Sequence, residues 1–232
     1  MNEKYTIEID GKMYPVKIVA KNITRVIVKV DYANKIALHH PRTCSFQEAI
    51  SHLQRQMPWL EKVVRKNEIT IRNMHVSEVA AGKKIWLFGN LYNIDPAAQA
   101  DFYHIADNTL YISGDLKKII NQIRLALSEK IREEFNQFAS GFAESFQKKA
   151  TLSFRKMRSR WGSCNAKTGN INLNLLLVHV PPLCYRYVII HEFIHFIYAH
   201  HNHDFYRLLE KFFPDYKIAV KELKKYSFIL RI

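Results

Sequence analysis

The sequence predicts an α+β fold, in which a β-rich N-terminal module precedes a mostly helical C-terminal part. In residues 1–114, short runs of alternating apolar and polar residues are separated by turn residues such as Asp10-Gly11 and Gly89-Asn90, which is typical of hairpins. From Leu116 to Lys149, apolar residues instead recur every three or four positions, which indicates one long helix. We therefore predict two domains, at residues 1–114 and 115–232.

The N-terminal module is expected to contain short strands and one helix. The helix begins after Ser45, because Glu48 follows at capping-box spacing, and it continues past an interruption at Pro58 to about Lys66. No internal repeat is evident in the residues. The expected strands are Tyr5–Ile9, Met13–Ile18, Val26–Val30, Lys35–Leu38, Lys84–Phe88, Leu91–Ile94, Phe102–Ile105 and Thr109–Ile112.

The long helix of the C-terminal part carries an aromatic stripe that we assign to the core. Its phenylalanines fall three or four residues apart, on one face of the helix. They are Phe135, Phe138, Phe142 and Phe146. The elements expected after it are a strand at Leu152–Met157, a loop at Arg158–Cys164, a strand at Asn170–Val180 broken by Pro181-Pro182, an apolar helix around Tyr187–Tyr198, a helix at His203–Phe213 and a terminal helix ending near Tyr226.

Composition limits the class of protein. Hydrophobic residues make up 48% of the 232 residues, which is ample for a packed core. Cys44, Cys164 and Cys184 lack C-x-x-C spacing, which argues against a disulfide framework and against a zinc ribbon. No apolar run approaches the length of a membrane span, and the first residues lack a signal-peptide core. We therefore expect a cytoplasmic protein with no membrane partner.

The chain is strongly basic, with 35 Lys and Arg against 21 Asp and Glu and a net charge of +14. A lysine-rich solvated surface is the simpler explanation. Attraction to nucleic acid, or to a nucleotide substrate, is the functional one. No nucleic-acid-binding motif accompanies the charge, so a nucleic-acid partner rests on the charge alone.

The motif His191-Glu192-Phe193-Ile194-His195 lies in the apolar helix and indicates a metal site. On a helix, His191 and His195 lie one turn apart on the same face, and Glu192 can take a proton from a water on the shared metal. The alternative is a buried core helix with two hydrogen-bonded histidines. That alternative buries Glu192 without a partner, which is rare for an ionised carboxylate. A third ligand is expected in the downstream cluster His200–His203.

Further motifs occur in one order with close spacing around this site. They are Arg158–Cys164 (RSRWGSC), Gly169–Asn174 (GNINLN), the H-E-x-x-H motif, Phe205-Tyr206 and Pro214-Asp215-Tyr216. The pattern resembles the YgjP-like metal-dependent hydrolases, a zincin-type family described as predicted metallopeptidases. The resemblance is strongest from Leu152 to Lys224 and extends more weakly over the N-terminal part. It implies a zincin-like core, in which a small sheet covers the H-E-x-x-H helix.

The resemblance also implies the ligand set. It places the third metal histidine six residues after His195, at His201, close to the start of the next helix. Asn202 stands where the family has Ser, and Tyr206 stands where it has Trp. His203 is the alternative ligand, and His200 is expected to be solvated or to lie beside the ligands. One Zn²⁺ ion is expected, although three histidines also suit manganese, cobalt or nickel.

The implied activity is that of a zinc-dependent, metallopeptidase-like hydrolase in which Glu192 is the general base. Arg160 is expected to stabilise the developing negative charge, because the resemblance puts its loop near the metal helix. Arg158, Tyr198 and Tyr206 are further candidates for this role. The alternative for Arg160 is a structural role, in which Trp161 packs and Arg160 ties the loop to the helix. An extended peptide substrate would pair with the edge of the Gly169–Leu175 strand. Cys164 is expected to be a small packed residue.

Two other functions fit the same residues. A metal-dependent nucleoside triphosphate pyrophosphohydrolase would use Arg158 and Arg160 to clamp phosphates. A basic nucleic-acid-binding protein with a structural zinc would need no enzyme chemistry at all. Glu192 argues against the second of these, because a structural zinc usually has four protein ligands and needs no adjacent base.

Overall fold

The computed structural model describes residues 5–31, 34–96 and 103–231, and it confirms the α+β fold. The chain forms two compact units, Met1–Val76 and Ser77–Ile232. A short helix, α3 (Val76–Ala80), spans the boundary. The compact units thus divide at a different point from the predicted domain boundary after residue 114, which stays a prediction.

The first unit is a four-stranded sheet covered by two helices. Its strands are β1 (Tyr5–Ile9), β2 (Lys12–Lys21), β3 (Ile27–Val30) and β4 (Ile36–Pro41), in the order β1-β2-β4-β3. The β2–β4 pair is parallel and the outer pairs are antiparallel. Helices α1 (Phe46–Arg55) and α2 (Met57–Asn73) contribute Leu53 and Leu60 to a core that includes Ile7, Val16 and Leu38 of the sheet.

The helix predicted in this unit is confirmed at its start and divided in its middle. The Ser45 side chain accepts a hydrogen bond from the Glu48 backbone, and the Ser45 amide donates to Glu48 Oε2 at 2.8 Å. This is the predicted capping box. Pro58 lies in the first turn of α2, where its missing N–H is tolerated. The chain therefore begins a second helix at this point, and that helix continues to Asn73.

A second four-stranded sheet opens the second unit. Its strands are β5 (Lys84–Leu87), β6 (Asn90–Asp95), β7 (Tyr103–Ala106) and β8 (Thr109–Ile112), in the order β5-β6-β8-β7. Again the middle pair is parallel and the outer pairs are antiparallel. Phe102, the first residue of the third strand predicted here, lies outside the described residues. The two sheets therefore share one strand order and one pairing pattern, although the sequence shows no repeat.

The first hairpin of each sheet also turns in the same way. Both central residues have positive φ: 52° and 74° at Asp10 and Gly11, and 47° and 83° at Phe88 and Gly89. Two successive positive φ angles are the signature of the type I′ turn, which matches the twist of a hairpin. The second turn lies one residue earlier than the predicted Gly89-Asn90 pair, because Asn90 already belongs to β6.

The long helix α4 (Leu116–Phe146) takes part in two cores. The Asp115 side chain accepts a hydrogen bond from the Lys118 backbone and caps the N-terminus, while Gln147, in the left-handed conformation, ends the helix before the predicted Lys149. Ile119 and Ile123 pack on the second sheet. Further along, Phe142 lies in ring contact with aromatic residues of α4 and of the segments that follow. Those partners are Phe138, Phe146, Phe193, Phe196 and Phe212.

A three-stranded sheet of β9 (Thr151–Arg155), β10 (Gly162–Asn165) and β11 (Asn170–Asn174) follows, in the order β10-β11-β9. Because β11 is paired on both sides, the expectation that Gly169–Leu175 offers a free edge is wrong. The loop prediction for Arg158–Cys164 is also corrected, since its last three residues belong to β10, an outer strand of this sheet.

The strand predicted to reach Val180 ends instead at Asn174, and a short 3-10 helix at Leu175–His179 follows. The Asn174 side chain accepts a hydrogen bond from the Leu176 backbone and donates to the carbonyls of Met157 and Arg160. These side-chain bonds compete with continuation of the strand, which explains the early end.

Three helices complete the chain: α5 (Pro182–Ile194), α6 (His203–Phe212) and α7 (Tyr216–Lys225), followed by a 3-10 segment at Tyr226–Arg231. The apolar helix predicted around Tyr187–Tyr198 begins earlier than expected, because Pro182 occupies the first helical position, and it ends earlier as well, at Ile194. All three cysteines are free. In the part of the chain that the structure describes, no helix is both long and apolar enough to span a membrane.

The aromatic core generates a stability prediction. Phe142 is 2% exposed, so Phe142→Ala should leave a cavity and lower the free energy of unfolding by about 3–5 kcal/mol. Leu125→Ala, on the same helix at a residue 50% exposed, should change it by less than about 1 kcal/mol. Urea unfolding of the full chain, followed by circular dichroism, measures both. Equal effects of the two substitutions would contradict this account of the core.

Candidate metal centre

Helix α5 carries the first part of the site and is buried along most of its length. Of its thirteen residues eight are buried, among them Glu192. A helix that is apolar on nearly every side must lie inside the protein, and α5 contacts the third sheet, α4, α6 and α7. His191 and His195 lie at its C-terminal end, where His195 keeps a helical conformation as the capping residue. Both imidazoles are half-buried.

The third histidine comes from the turn between α5 and α6. Asn202 caps α6, because its side chain accepts a hydrogen bond from the Phe205 backbone. Serine is an equally good cap, so the difference from the family pattern at this position keeps the same local structure. His201 immediately precedes this cap, and the turn brings it back to His191 and His195.

The three imidazoles converge. One ligand nitrogen from each of His191, His195 and His201 lies within 4.8 Å of the others. The Nε2 atoms of His191 and His201 are 3.0 Å apart. Nitrogen ligands bound tetrahedrally at 2.0–2.1 Å from one zinc ion would lie about 3.3 Å apart. His200 and His203 are outside this cluster, and within the described residues the cluster contains no fourth His, Cys, Asp or Glu.

A single aromatic ring packs beneath all three imidazoles. The Phe205 ring centroid lies 5.0 Å from that of His191, 4.9 Å from that of His195 and 4.7 Å from that of His201. Phe205 is fully buried. Because one rigid ring contacts the three histidines together, it limits how far any of them can rotate away from the common point.

Hydrogen bonds and burial leave the ring nitrogens suited to a metal. His195 Nδ1–H donates to the Tyr198 carbonyl at 3.0 Å, so the neutral ring presents its Nε2 lone pair. The Tyr187 hydroxyl lies 3.2 Å from His191 Nδ1. Burial, with the neighbouring His195 and His201, lowers the pKa of His191 to about 3, and burial also lowers the pKa of His195. Both rings are therefore neutral at pH 7, which is the form that binds metal.

Glu192 lies beside the histidines and is only 5% exposed. Burial raises its pKa to about 7, although the charge of Arg160 acts in the opposite direction. Gly162 of β10 lies directly against it. A Cβ atom at residue 162 would approach Glu192 Oε1 to 2.5 Å and its Cγ to 2.8 Å. Only glycine allows the strand to lie this close to the carboxyl group.

A cavity of about 310 Å³ opens beside Glu192 and His191. Arg160 lines it, together with Trp161 of the same loop and Gly162 at the start of β10. Arg158 does not line it and instead lines a separate cavity with Arg231. The two arginines proposed from the sequence as a phosphate clamp therefore face different cavities.

The other sequence candidates lie around the site in different ways. Tyr198 packs in the apolar cluster formed by α5 and α6, and its backbone holds His195. Tyr206 is 41% exposed and lies near His201, with 6.3 Å between ring centroids. Burial, with a smaller effect of Glu192, raises the pKa of the Cys164 thiol to about 12, so it stays protonated as expected of a packed residue.

Several residues of the site were not singled out by sequence reasoning. Tyr187, Lys224 and Ser227 line the cavity beside Glu192. Lys224 and Ser227 come from the C-terminal end of the chain, and nothing in their spacing connects them with the H-E-x-x-H motif. Tyr187 had a detectable signal, because it precedes His191 by four residues and so shares its helix face.

Comparison with known proteins agrees with this geometry. A family model described as YgjP-like, metallopeptidase domain, matches residues 24–226, which is most of the chain. No curated protein matches the chain significantly. The family supports a metal-dependent hydrolase, and the three histidines form a group that could hold the metal. The chain belongs to the YgjP-like metallopeptidase domain family.

Proposed function

We propose that this protein is a zinc-dependent peptidase in which His191, His195 and His201 hold one metal ion and Glu192 is the general base. The observation that carries the proposal is the convergence of three imidazole nitrogens within 4.8 Å, beside a buried carboxyl group. The family supports a divalent metal in general. Three imidazole nitrogen donors without a fourth protein ligand in the described cluster favour a catalytic ion over a structural one.

A divalent ion bound by these histidines would polarise the scissile carbonyl and make an attacking water more acidic, lowering the water pKa toward ~7. Glu192 then accepts the proton of that water and passes it to the leaving amine. A group that both accepts and donates a proton works best with a pKa near the working pH. Burial raises the pKa of Glu192, which makes its carboxylate a stronger base than one in water.

We assign the stabilisation of developing oxyanion charge to Arg160. It lines the cavity that contains Glu192 and His191, and it is close enough for its charge to act on the Glu192 pKa. A cation placed where negative charge develops stabilises the transition state more than the ground state. Arg158 is left out of this role because it lines another cavity.

A peptide substrate fits the sheet beside the cavity. Strand β10 pairs with β11 on one side and is an outer strand of its sheet, so its other side can receive an extended chain. Gly162 at the start of β10 lies against Glu192, so a peptide paired there would lie next to the proposed base. This edge replaces the Gly169–Leu175 edge expected from the sequence. The family supports a peptide rather than a nucleotide substrate.

The first prediction concerns the base. Glu192→Gln should keep the metal and lower turnover of an unstructured protein substrate by about 100- to 10,000-fold, because it removes the proton acceptor and keeps the shape. The measurement is cleavage by the purified zinc-loaded protein, with metal content determined in parallel. Glu210→Gln, an exposed carboxylate change on α6, should leave turnover as it is.

Nucleoside triphosphates are tested in the same assay. If the unchanged protein releases phosphate or pyrophosphate but cleaves no peptide, and Glu192→Gln loses that release, the substrate is a nucleotide and not a peptide. Peptide cleavage that survives in Glu192→Gln would show that Glu192 is not the general base.

The second prediction concerns the third ligand. His201→Ala should weaken zinc binding by at least about 100-fold, because it removes one of three nitrogen donors. His200→Ala and His203→Ala change neighbouring histidines outside the cluster and should bind zinc like the unchanged protein. Zinc content after dialysis against a graded chelator measures all three. Loss of zinc in His203→Ala, with zinc retained in His201→Ala, would make His203 the ligand.

The third prediction concerns the close approach of β10. Gly162→Ala should keep the zinc and lower turnover by about 100-fold, because the added Cβ displaces the Glu192 carboxyl group from its position. Gly141→Ala is the matched control, since its Cβ would meet no atom within 4 Å and the residue lies within α4. Full activity in Gly162→Ala would show that the position of Glu192 is not set by this contact.

A further inference from the structure

A second cavity, of about 560 Å³, lies between the second sheet and α4. It shares no lining residue with the cavity beside Glu192. Ile85, Ile94 and Ile120 form part of its apolar wall. Its size falls within the range of small-molecule sites, and an apolar wall with a few polar groups is their usual character.

The charged residues of this cavity are all positive. Lys84, Lys117, Arg124 and Lys156 line it, and no Asp or Glu is among the described residues that do so. Lys84 forms an ion pair with Glu78 at 3.1 Å, outside the lining. A cavity with cations and no carboxylate has a positive potential, which its low-dielectric walls strengthen.

Arg124 is the central residue of this arrangement. Its Nε donates to His179 Nε2 at 2.8 Å, and His179 Nδ1–H donates to the Trp86 carbonyl at 2.6 Å. Burial and the Arg124 charge hold the pKa of His179 near 3, so this histidine is neutral and does not balance the guanidinium. Burial also lowers the pKa of Arg124, and no opposite charge offsets it.

The two Nη groups of Arg124 have no protein partner in the part of the chain that the structure describes. No side-chain nitrogen or oxygen there is both fully buried and unpaired, so these groups remain accessible. Arg124 is partly buried, and a guanidinium that loses part of its hydration without gaining an anion is unfavourable. Its fork of N–H groups matches the two oxygens of a carboxylate or phosphate.

We propose that this cavity binds a small organic anion, with its carboxylate or phosphate head on Arg124 and its apolar body against the isoleucine wall. Lys117 and Lys156 would add charge around the head. The site is separate from the metal centre, and the proposal does not rest on the peptidase function.

The test uses 1-anilinonaphthalene-8-sulfonate, an aromatic anion whose fluorescence rises in apolar cavities, with the full chain. We expect saturable binding of one molecule, displaced by decanoate or decyl phosphate and not by inorganic phosphate at equal concentration. Comparing decanoate with decyl phosphate distinguishes the two head groups. Displacement by inorganic phosphate alone, or no saturable binding, would overturn the proposal.

Variants connect this binding to the cavity. Arg124→Gln should weaken it about tenfold or more, because a charge-assisted contact is lost. Arg132→Gln, at an arginine of the same helix outside the cavity, should bind like the unchanged protein.

Ile120→Trp fills the cavity without removing charge and should also weaken binding. If circular dichroism shows that Arg124→Gln does not fold, Lys117→Gln is measured in its place. Lys117 is exposed, and its replacement should weaken binding severalfold. Equal binding by the folded variants and the unchanged protein would overturn the assignment.

Discussion

The constraint on which the rest of the structure depends is the burial of α5. A helix that is apolar on almost every side needs cover from several directions, and the third sheet, α4, α6 and α7 together provide it. This cover surrounds Glu192 with protein and leaves the histidines at the helix end, where the chain turns back. The same packing that hides the apolar residues thus creates a neutral pair of imidazoles and a carboxyl group whose pKa is raised to about 7.

Two residues outside the reactive set keep this arrangement in register. Phe205 packs beneath three imidazoles that come from two different segments of the chain. The Asn174 side-chain amide donates hydrogen bonds to the carbonyls of Met157 and Arg160, which fixes the loop that leads to Gly162, the residue against Glu192. In both cases one side chain holds together segments that are distant in sequence. A substitution at either residue would therefore shift the side chains of the site without removing a group that reacts.

Local signals were enough to predict much of this structure. The Ser45 capping box and the H-E-x-x-H motif depend on residues three or four apart, and short-range spacing identifies them. The pairing of β10 with β11 could not be predicted in this way, because the outer strand is only four residues long and lies in a polar loop sequence. The end of β11 at Asn174 depends on partners fourteen and seventeen residues away, which periodicity does not detect. The second cavity likewise needs residues from several segments brought together by the fold.

The two four-stranded sheets share one strand order but lead into helices of different length. Both sheets have a parallel middle pair and begin with the same type of turn, and in each unit a helix follows the last strand. The helix that follows the first sheet, α1, has 10 residues, whereas α4 has 31, and its far half carries the phenylalanines that pack on α5. The additional length of α4 therefore provides the surface against which α5, with its H-E-x-x-H motif, packs.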